Sequence, residues 1–180
     1  MIHPIARQFD NAVPVLRTER LVLRAPRADD FDAYATYYSE DRSRFTGGPL
    51  DRASAWRAFA AQIGHWHLRG YGLWTVTDAS EAPIGHVGFW NPEGWLEPEI
   101  GWALYPGHEG KGYAYEAAIA ARTHAYNALG WGPLTSVIAP GNERSMALAL
   151  RMGATFERDW VSPTGKPALI YRHPGPGAAA

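Results

Sequence analysis

Residues 104–117 read Leu104-Tyr105-Pro106-Gly107-His108-Glu109-Gly110-Lys111-Gly112-Tyr113-Ala114-Tyr115-Glu116-Ala117. The stretch before it, residues 97–105, reads as a strand that stops at Pro106. The stretch after it, residues 114–129, reads as a long helix with Ala114, Ala117, Ala118, Ala121 and Ala125 along one face, ended by Gly130 and Gly132. Small side chains let a helix lie close on a sheet. The glycines therefore sit between a strand and a helix N-terminus. The first N–H groups of a helix have no internal partner, and the dipole there favours anions. Gly110 and Gly112 carry no side chain, so their amides can approach a phosphate, while Lys111 adds positive charge and Ala114 keeps the helix start small.

Three phosphate-binding loops have this outline. A nucleotide P-loop needs four residues between its first Gly and its Gly-Lys pair, followed by Ser or Thr. Here only His108 and Glu109 separate Gly107 from Gly110, and Gly112 follows Lys111. A dinucleotide fingerprint needs Gly or Ala three residues after its second Gly, and that position is Tyr115. Both fail. The third is a pyrophosphate loop for coenzyme A.

Working outward, residues 1–17 show no periodicity and read as an irregular lead-in. Leu21 and Leu23 alternate in a strand over residues 20–24. Asp29 or Asp30 is placed to cap a helix carrying Phe31, Tyr34, Ala35 and Tyr38. After Gly47, Gly48 and Pro49, residues 51–69 form a second helix whose stripe of Trp56, Phe59, Ile63 and Trp66 reads as core, stopped by Gly70. Residues 73–77, 84–90 and 97–105 are strands joined by short turns, an antiparallel meander. The strand–loop–helix–strand unit through residues 134–139 joins neighbouring strands in parallel by a right-handed crossover. The sheet is therefore mixed. Asn142 caps a short helix that ends at Gly153, and residues 156–161 and 168–172 close the chain as a hairpin. Residues 1–173 read as a single domain and 174–180 as a disordered tail.

Composition bounds the function. The 180 residues include no cysteine, which excludes disulfides, thiolate metal sites and a cysteine nucleophile. A formal net charge of −1 gives no field for nucleic acid or an anionic membrane. Met1 to Asp10 has no apolar core of signal-peptide length, and no apolar run is long enough to span a bilayer, so a cytoplasmic protein is expected. His65 and His67 stand two apart on a helix and make a poor metal pair, so no metal site is expected. His86, alone on a strand, reads as structural. Most of the 8 Trp are expected to fill the core and a few to line a pocket.

The chain resembles the GNAT superfamily of acyl-CoA N-acyltransferases. It is most similar to the branch that acetylates the N-termini of ribosomal proteins (RimJ/RimL-like). The resemblance rests on Thr18 to Arg24, Ile84-Gly85 with Gly88, Glu99-Ile100-Gly101-Trp102, Gly110 to Ala114 with Glu116-Ala117, and Asn142 with Ser145 and Gly153. These occur in the family's order over about residues 18–172. The resemblance implies an α/β fold (α+β by some schemes), a mixed and mostly antiparallel sheet with helices on both faces, splayed between the fourth and fifth strands. There are departures. The family's loop begins with Gln or Arg where this chain has Glu109. Its short-helix Tyr, a general acid, falls at Ala149, and its Gly-Phe after that helix is Gly153-Ala154.

The resemblance further implies acetyl-CoA as co-substrate. Its pantetheine arm would bond the strand backbone at Trp102, Ala103 and Leu104, and its pyrophosphate would sit on Glu109, Gly110, Lys111, Gly112, Tyr113 and Ala114. Asn142 and Ser145 would face the thioester end; helix capping alone also explains Asn142. A neutral amine would attack the thioester directly, with Glu99 as the first candidate base, Glu97 as the alternate and Ser145 as a proton source for the thiolate. A structural carboxylate is the plainer reading of Glu99. The backbone N–H near Leu104 would hold the oxyanion. The first two helices would roof the acceptor site, with Trp56, Trp66, Trp90 and Trp95 as candidate lining. The acceptor is a peptide or protein N-terminus or a small-molecule amine, and a homodimer is a family-level expectation. Rival readings are a different acyl-CoA donor, a coenzyme A-binding regulatory module without catalysis, and a structural protein that binds nothing.

Overall fold

The meander is the centre of an eight-stranded sheet in a computed structural model that describes residues 4–177. Its strands are β3 (Leu73–Thr77), β4 (Pro83–Trp90) and β5 (Glu99–Leu104), each antiparallel to the next. Two glycines permit the close pairing. A Cβ on Gly85 would stand 2.3 Å from the Ala103 carbonyl oxygen, and one on Gly88 would stand 2.3 Å from that of Gly72. β1 (Leu16–Arg17) and β2 (Val22–Arg24) extend the sheet on one side. β6 (Thr135–Ile138), β7 (Thr155–Val161) and β8 (Pro167–Arg172) extend it on the other, in the order β1-β2-β3-β4-β5-β6-β8-β7. Only the step from β5 to β6 is parallel. That step is the crossover through α4 (Tyr113–Asn127). The mixed, mostly antiparallel sheet is thus the one expected.

Alternation along β5 shows which helices cover which face. Ala103 joins Phe31 and Tyr34 of α2 (Phe31–Ser39) and Phe59 of α3 (Arg52–Arg69). Ile100, on the opposite face, joins Ala117, Ala118, Ala121 and Ala125 of α4, all fully buried. The small-residue stripe is therefore the sheet-facing side of α4. Beside β6, α5 (Glu143–Arg151) buries Ala149 against Ile138, Ala154 and Tyr171. Local signals set the helix ends: the Asp51 carboxylate accepts from Ser54 N–H at 2.7 Å, and Gly70, at φ 77°, stops α3.

Four expectations change. The lead-in is ordered from Pro4: Pro4–Ala12 is α1 and Leu16–Arg17 is β1, while residues 1–3 lie outside the described residues. Tertiary contacts hold it. Val13 is buried, Phe9 packs on the core, and the Trp74 indole donates to the Pro14 carbonyl at 2.8 Å. A nine-residue helix fixed this way needs no strong periodicity of its own. Asp30 does not cap α2; its carboxylate accepts from Arg27 N–H and Thr75 Oγ1 and pairs with Arg24 at 2.7 Å. The Trp56–Trp66 stripe is only partly core, with Phe59 and Trp66 buried but Trp56 51% exposed at the edge of Phe31. Of the residues read as a tail, Pro174 accepts from the Tyr126 hydroxyl at 2.8 Å; residues 178–180 lie outside the described residues.

Candidate active site

β5 and β6 meet at one register pair, Glu99 with Thr135, and then part. The two-residue β1 shifts the count, so the expected splay between the fourth and fifth strands falls between β5 and β6. Backbone alternation decides what faces the gap. Tyr105 N–H donates to Ile84 of β4, whereas the Ile100 carbonyl accepts from Ser136 of β6. Even-numbered residues of β5 therefore turn their backbone groups to β6. Trp102 and Leu104 open into the gap, and the Ala103 backbone, expected there too, is turned to β4.

A cavity of about 580 Å³ runs through this opening. Glu99, Gly101 and Trp102 line it from β5, residues 136–138 from β6 with Ala139 just after it, and Asn142 and Ser145 from the start of α5. Tyr34, Tyr38, Gln62 and His86 close it under α2 and α3, and Ser162, Thr164 and Lys166 rim it from the β7–β8 hairpin. Nothing lies within 4 Å of a Cβ built on Gly101, so the space beside Glu99 is open. Trp90 and Trp95 line the cavity, while Trp56 and Trp66 do not.

Glu99 is buried, and its Oε2 accepts from Val137 N–H at 2.8 Å. Burial pushes its carboxyl up to about 8, against smaller opposing pulls from that N–H and from the Trp95 indole. The Trp95 indole N–H makes no hydrogen bond within normal geometry; its influence on Glu99 is one of proximity. Glu97 is no alternate base. It precedes β5, lies outside the cavity lining, and pairs with Arg172 at 2.7 Å. His86 sits opposite Ala103 among Tyr34, Tyr37, Tyr38 and Tyr105. Burial holds it down to about 4, so it is a neutral wall at physiological pH.

The glycine loop is preformed. Gly107, Gly110 and Gly112 have φ of 83°, 75° and 81°, and α4 starts at Tyr113. The backbone N–H groups of Gly110, Lys111, Gly112, Tyr113 and Ala114 have no acceptor among the described residues. Glu109 points away from them: its carboxylate accepts from Gly107 N–H at 3.0 Å and pairs with Arg42. The loop is clamped from outside. Glu116, in the first turn of α4, accepts from Thr18 Oγ1 at 2.6 Å and Arg20 N–H at 3.0 Å, and Arg20 donates to the Lys111 carbonyl at 2.9 Å. Burial raises the Glu116 carboxyl, but these donors outweigh it and hold it below its ordinary range.

At the other end of the cavity, Asn142 Oδ1 accepts from Ser145 N–H at 3.3 Å and caps α5. Ser145 Oγ accepts from the Trp102 indole, also at 3.3 Å, which leaves its own proton free to donate. Trp102, Glu99, Asn142 and Ser145 thus share one cavity. The Gly110–Ala114 amides stand beyond the C-terminal end of β5. Among the described residues no group of three or more His, Cys, Asp or Glu could hold a metal, and no helix is long and apolar enough to cross a membrane.

Residues 20–155 match the acetyltransferase (GNAT) domain family. The chain belongs to that family. Its GNAT fold resembles the crystal structure of an acetyltransferase from Agrobacterium tumefaciens strain C58, at 38% identity and a TM-score of 0.82 over 89% of this chain and 94% of that one. It is also similar to the uncharacterized N-acetyltransferase YoaA of Bacillus subtilis, 28% identical over 82% of this chain and 85% of that protein. RimL, the ribosomal L7/L12 alpha-N-protein acetyltransferase, in complex with coenzyme A, shares the fold at a TM-score of 0.69 and 15% identity, over 89% of this chain and 97% of that one. The likeness to RimL is one of fold alone. GNAT enzymes use acetyl-CoA, and the free amides of β5 and of the α4 N-terminus fit its amides and phosphates.

Several lining residues of this GNAT cavity were not singled out in the sequence. Tyr34 and Tyr38 read there only as members of a helix, and Gln62, Ser136 and Lys166 carry no local signal at all. Their place follows from packing between segments far apart in the chain.

Proposed function

We propose that this GNAT protein transfers an acetyl group from acetyl-CoA to a primary amine by direct attack in a ternary complex. The observation that carries this reading is the convergence of Glu99, Ser145 and Trp102, whose backbone is open toward β6, on one cavity. Pantetheine amides pair with Trp102 and Leu104, and the pyrophosphate rests on the amides of Gly110 to Ala114. Glu99 in its ionised form takes the proton of the attacking amine. A backbone N–H near Leu104 stabilises the oxyanion. Ser145, with its proton free, passes that proton to the departing thiolate and takes one back from solvent.

The cavity also narrows the acceptor. Glu99 is its only carboxylate among the described lining residues, and Arg44 and Lys166 are its cations. An acidic groove would favour a polycation; this lining does not. An extra ammonium group buried without a carboxylate partner costs several kcal/mol. The acceptor is therefore a single amine on an apolar or aromatic body, a description that includes a peptide N-terminus. The test is acetyl-CoA turnover over a panel of amines, with wild-type protein and Glu99→Gln side by side. Turnover lost in Glu99→Gln while coenzyme A binding persists supports the enzyme. Binding without turnover on any amine supports instead a regulatory module, the reading favoured by Ala149 in place of the family's tyrosine.

A further inference from the structure

Parallel strands already in register continue to pair unless something stops them. From the Glu99–Thr135 pair, the next ladder bond would run from Val137 N–H to the Ile100 carbonyl, and the one after it from Trp102 N–H to the Val137 carbonyl. The first bond is absent because side chains have taken both of its ends. Glu99 Oε2 accepts from Val137 N–H at 2.8 Å, and Ser136 Oγ lies 2.7 Å from the Ile100 carbonyl oxygen. The Trp102 N–H beyond them stays open.

The Ser136 hydroxyl is itself held from behind. Arg122 of α4 can only donate. Its Nη1 lies 2.6 Å from the Met152 carbonyl and 3.4 Å from His173 Nδ1. Nδ1 is therefore the acceptor nitrogen of His173, and Nε2 carries the ring proton. Nε2 donates to Ser136 Oγ at 3.0 Å, which aims the hydroxyl proton at Ile100. The His173 backbone N–H donates to the Leu134 carbonyl at 2.9 Å, just before β6. Ser136, His173 and Arg122 are all buried. Burial, with Arg122 and Arg172 nearby, holds His173 down to about 4, so the ring stays neutral. A buried polar chain costs stability unless every member is satisfied. This one ends on the carbonyl that would otherwise zip the strands together.

We infer that Ser136, aimed by His173 and Arg122, is a positioning residue that caps the Ile100 carbonyl and keeps the β5–β6 gap open for the donor. The inference rests on the reading of that gap as the coenzyme A site. Replacement of Ser136 by Ala frees the carbonyl, Val137 N–H leaves the Glu99 carboxylate for it, and the next rung, from Trp102 N–H to the Val137 carbonyl, then forms.

The test compares wild type, Ser136→Ala and Ser136→Thr. Coenzyme A binding is read by calorimetry, kcat and KM by turnover, and strand closure by amide hydrogen exchange of the free protein. For Ser136→Ala, the dissociation constant and the KM for acetyl-CoA rise about tenfold, while kcat at saturation stays within about twofold. Exchange at the Trp102 amide slows. Ser136→Thr keeps the hydroxyl and restores all three. Wild-type affinity with unchanged Trp102 exchange in Ser136→Ala overturns the inference. Should Ser136→Ala not fold, His173→Leu removes the donor behind Ser136 and His173→Gln retains one; equal exchange in these two variants overturns it equally. Absence of coenzyme A binding by wild type would instead defeat the donor-site reading, and exchange alone would then decide the role of Ser136.

Discussion

Glu99 shows how one side chain serves the fold and the chemistry together. One of its oxygens holds Val137 N–H, and its face of β5 opens beside Gly101. Glu99→Gln keeps an oxygen for Val137 and loses the base. Turnover is expected to fall about 10²–10⁴-fold with coenzyme A affinity unchanged, as steady-state kinetics and calorimetry will show. In the wild type, activity rises with pH through about 8 as the carboxylate forms. Stability moves the other way. Because folding raises this carboxyl from 4.5 to about 8, the unfolded chain ionises first, and stability is lost as pH climbs between those values. Glu99→Gln is free of that loss. Its melting temperature should exceed that of wild type by roughly 4 °C or more at pH 9 and approach it at pH 5. Equal differences at both pH values would show that Glu99 ionises freely.

Among the elements, the start of α4 carries the donor reading. Gly112 has φ 81°, and a Cβ there meets the Arg20 guanidinium at 3.4 Å. Gly112→Val strains the loop and crowds its amides, so coenzyme A affinity should drop about tenfold or more while circular dichroism stays native. Gly85→Val is a different case. Its Cβ would strike the Ala103 carbonyl in the middle of the sheet, and soluble folded protein should not be recovered. The loop and the helix were legible in the sequence because their signals are local: glycines before a helix start, an alanine stripe at helical spacing, Asp51 and Gly70 at the ends of α3. The same locality explains what was not legible. The insertion of β8 between β6 and β7, the anchoring of α1 through Pro14 and Phe9, and the Ser136–His173–Arg122 chain all depend on contacts between distant segments. Glu97 misled for a related reason. Period-two spacing placed it on the strand, but Arg172 of β8 draws it away before the strand begins.

For the molecule as a whole, the charge of the cavity is the feature that composition could not give. A net charge of −1 says nothing about where carboxylates lie, and the folded chain brings only Glu99 to the site lining among the described residues. Competition assays at pH 8 should therefore favour a monoamine with an apolar or aromatic body over a polyamine by about tenfold or more in kcat/KM. Preference for the polyamine would show that acidic groups outside the lining govern the acceptor.

The central claim is that the splayed gap and the glycine loop form one acetyl-CoA site. Calorimetric titration of acetyl-CoA into wild-type protein and into Gly112→Val tests it most directly. The account predicts saturable one-site binding by wild type and markedly weaker binding by the variant. No binding by wild type, or equal binding by a folded Gly112→Val, would contradict it.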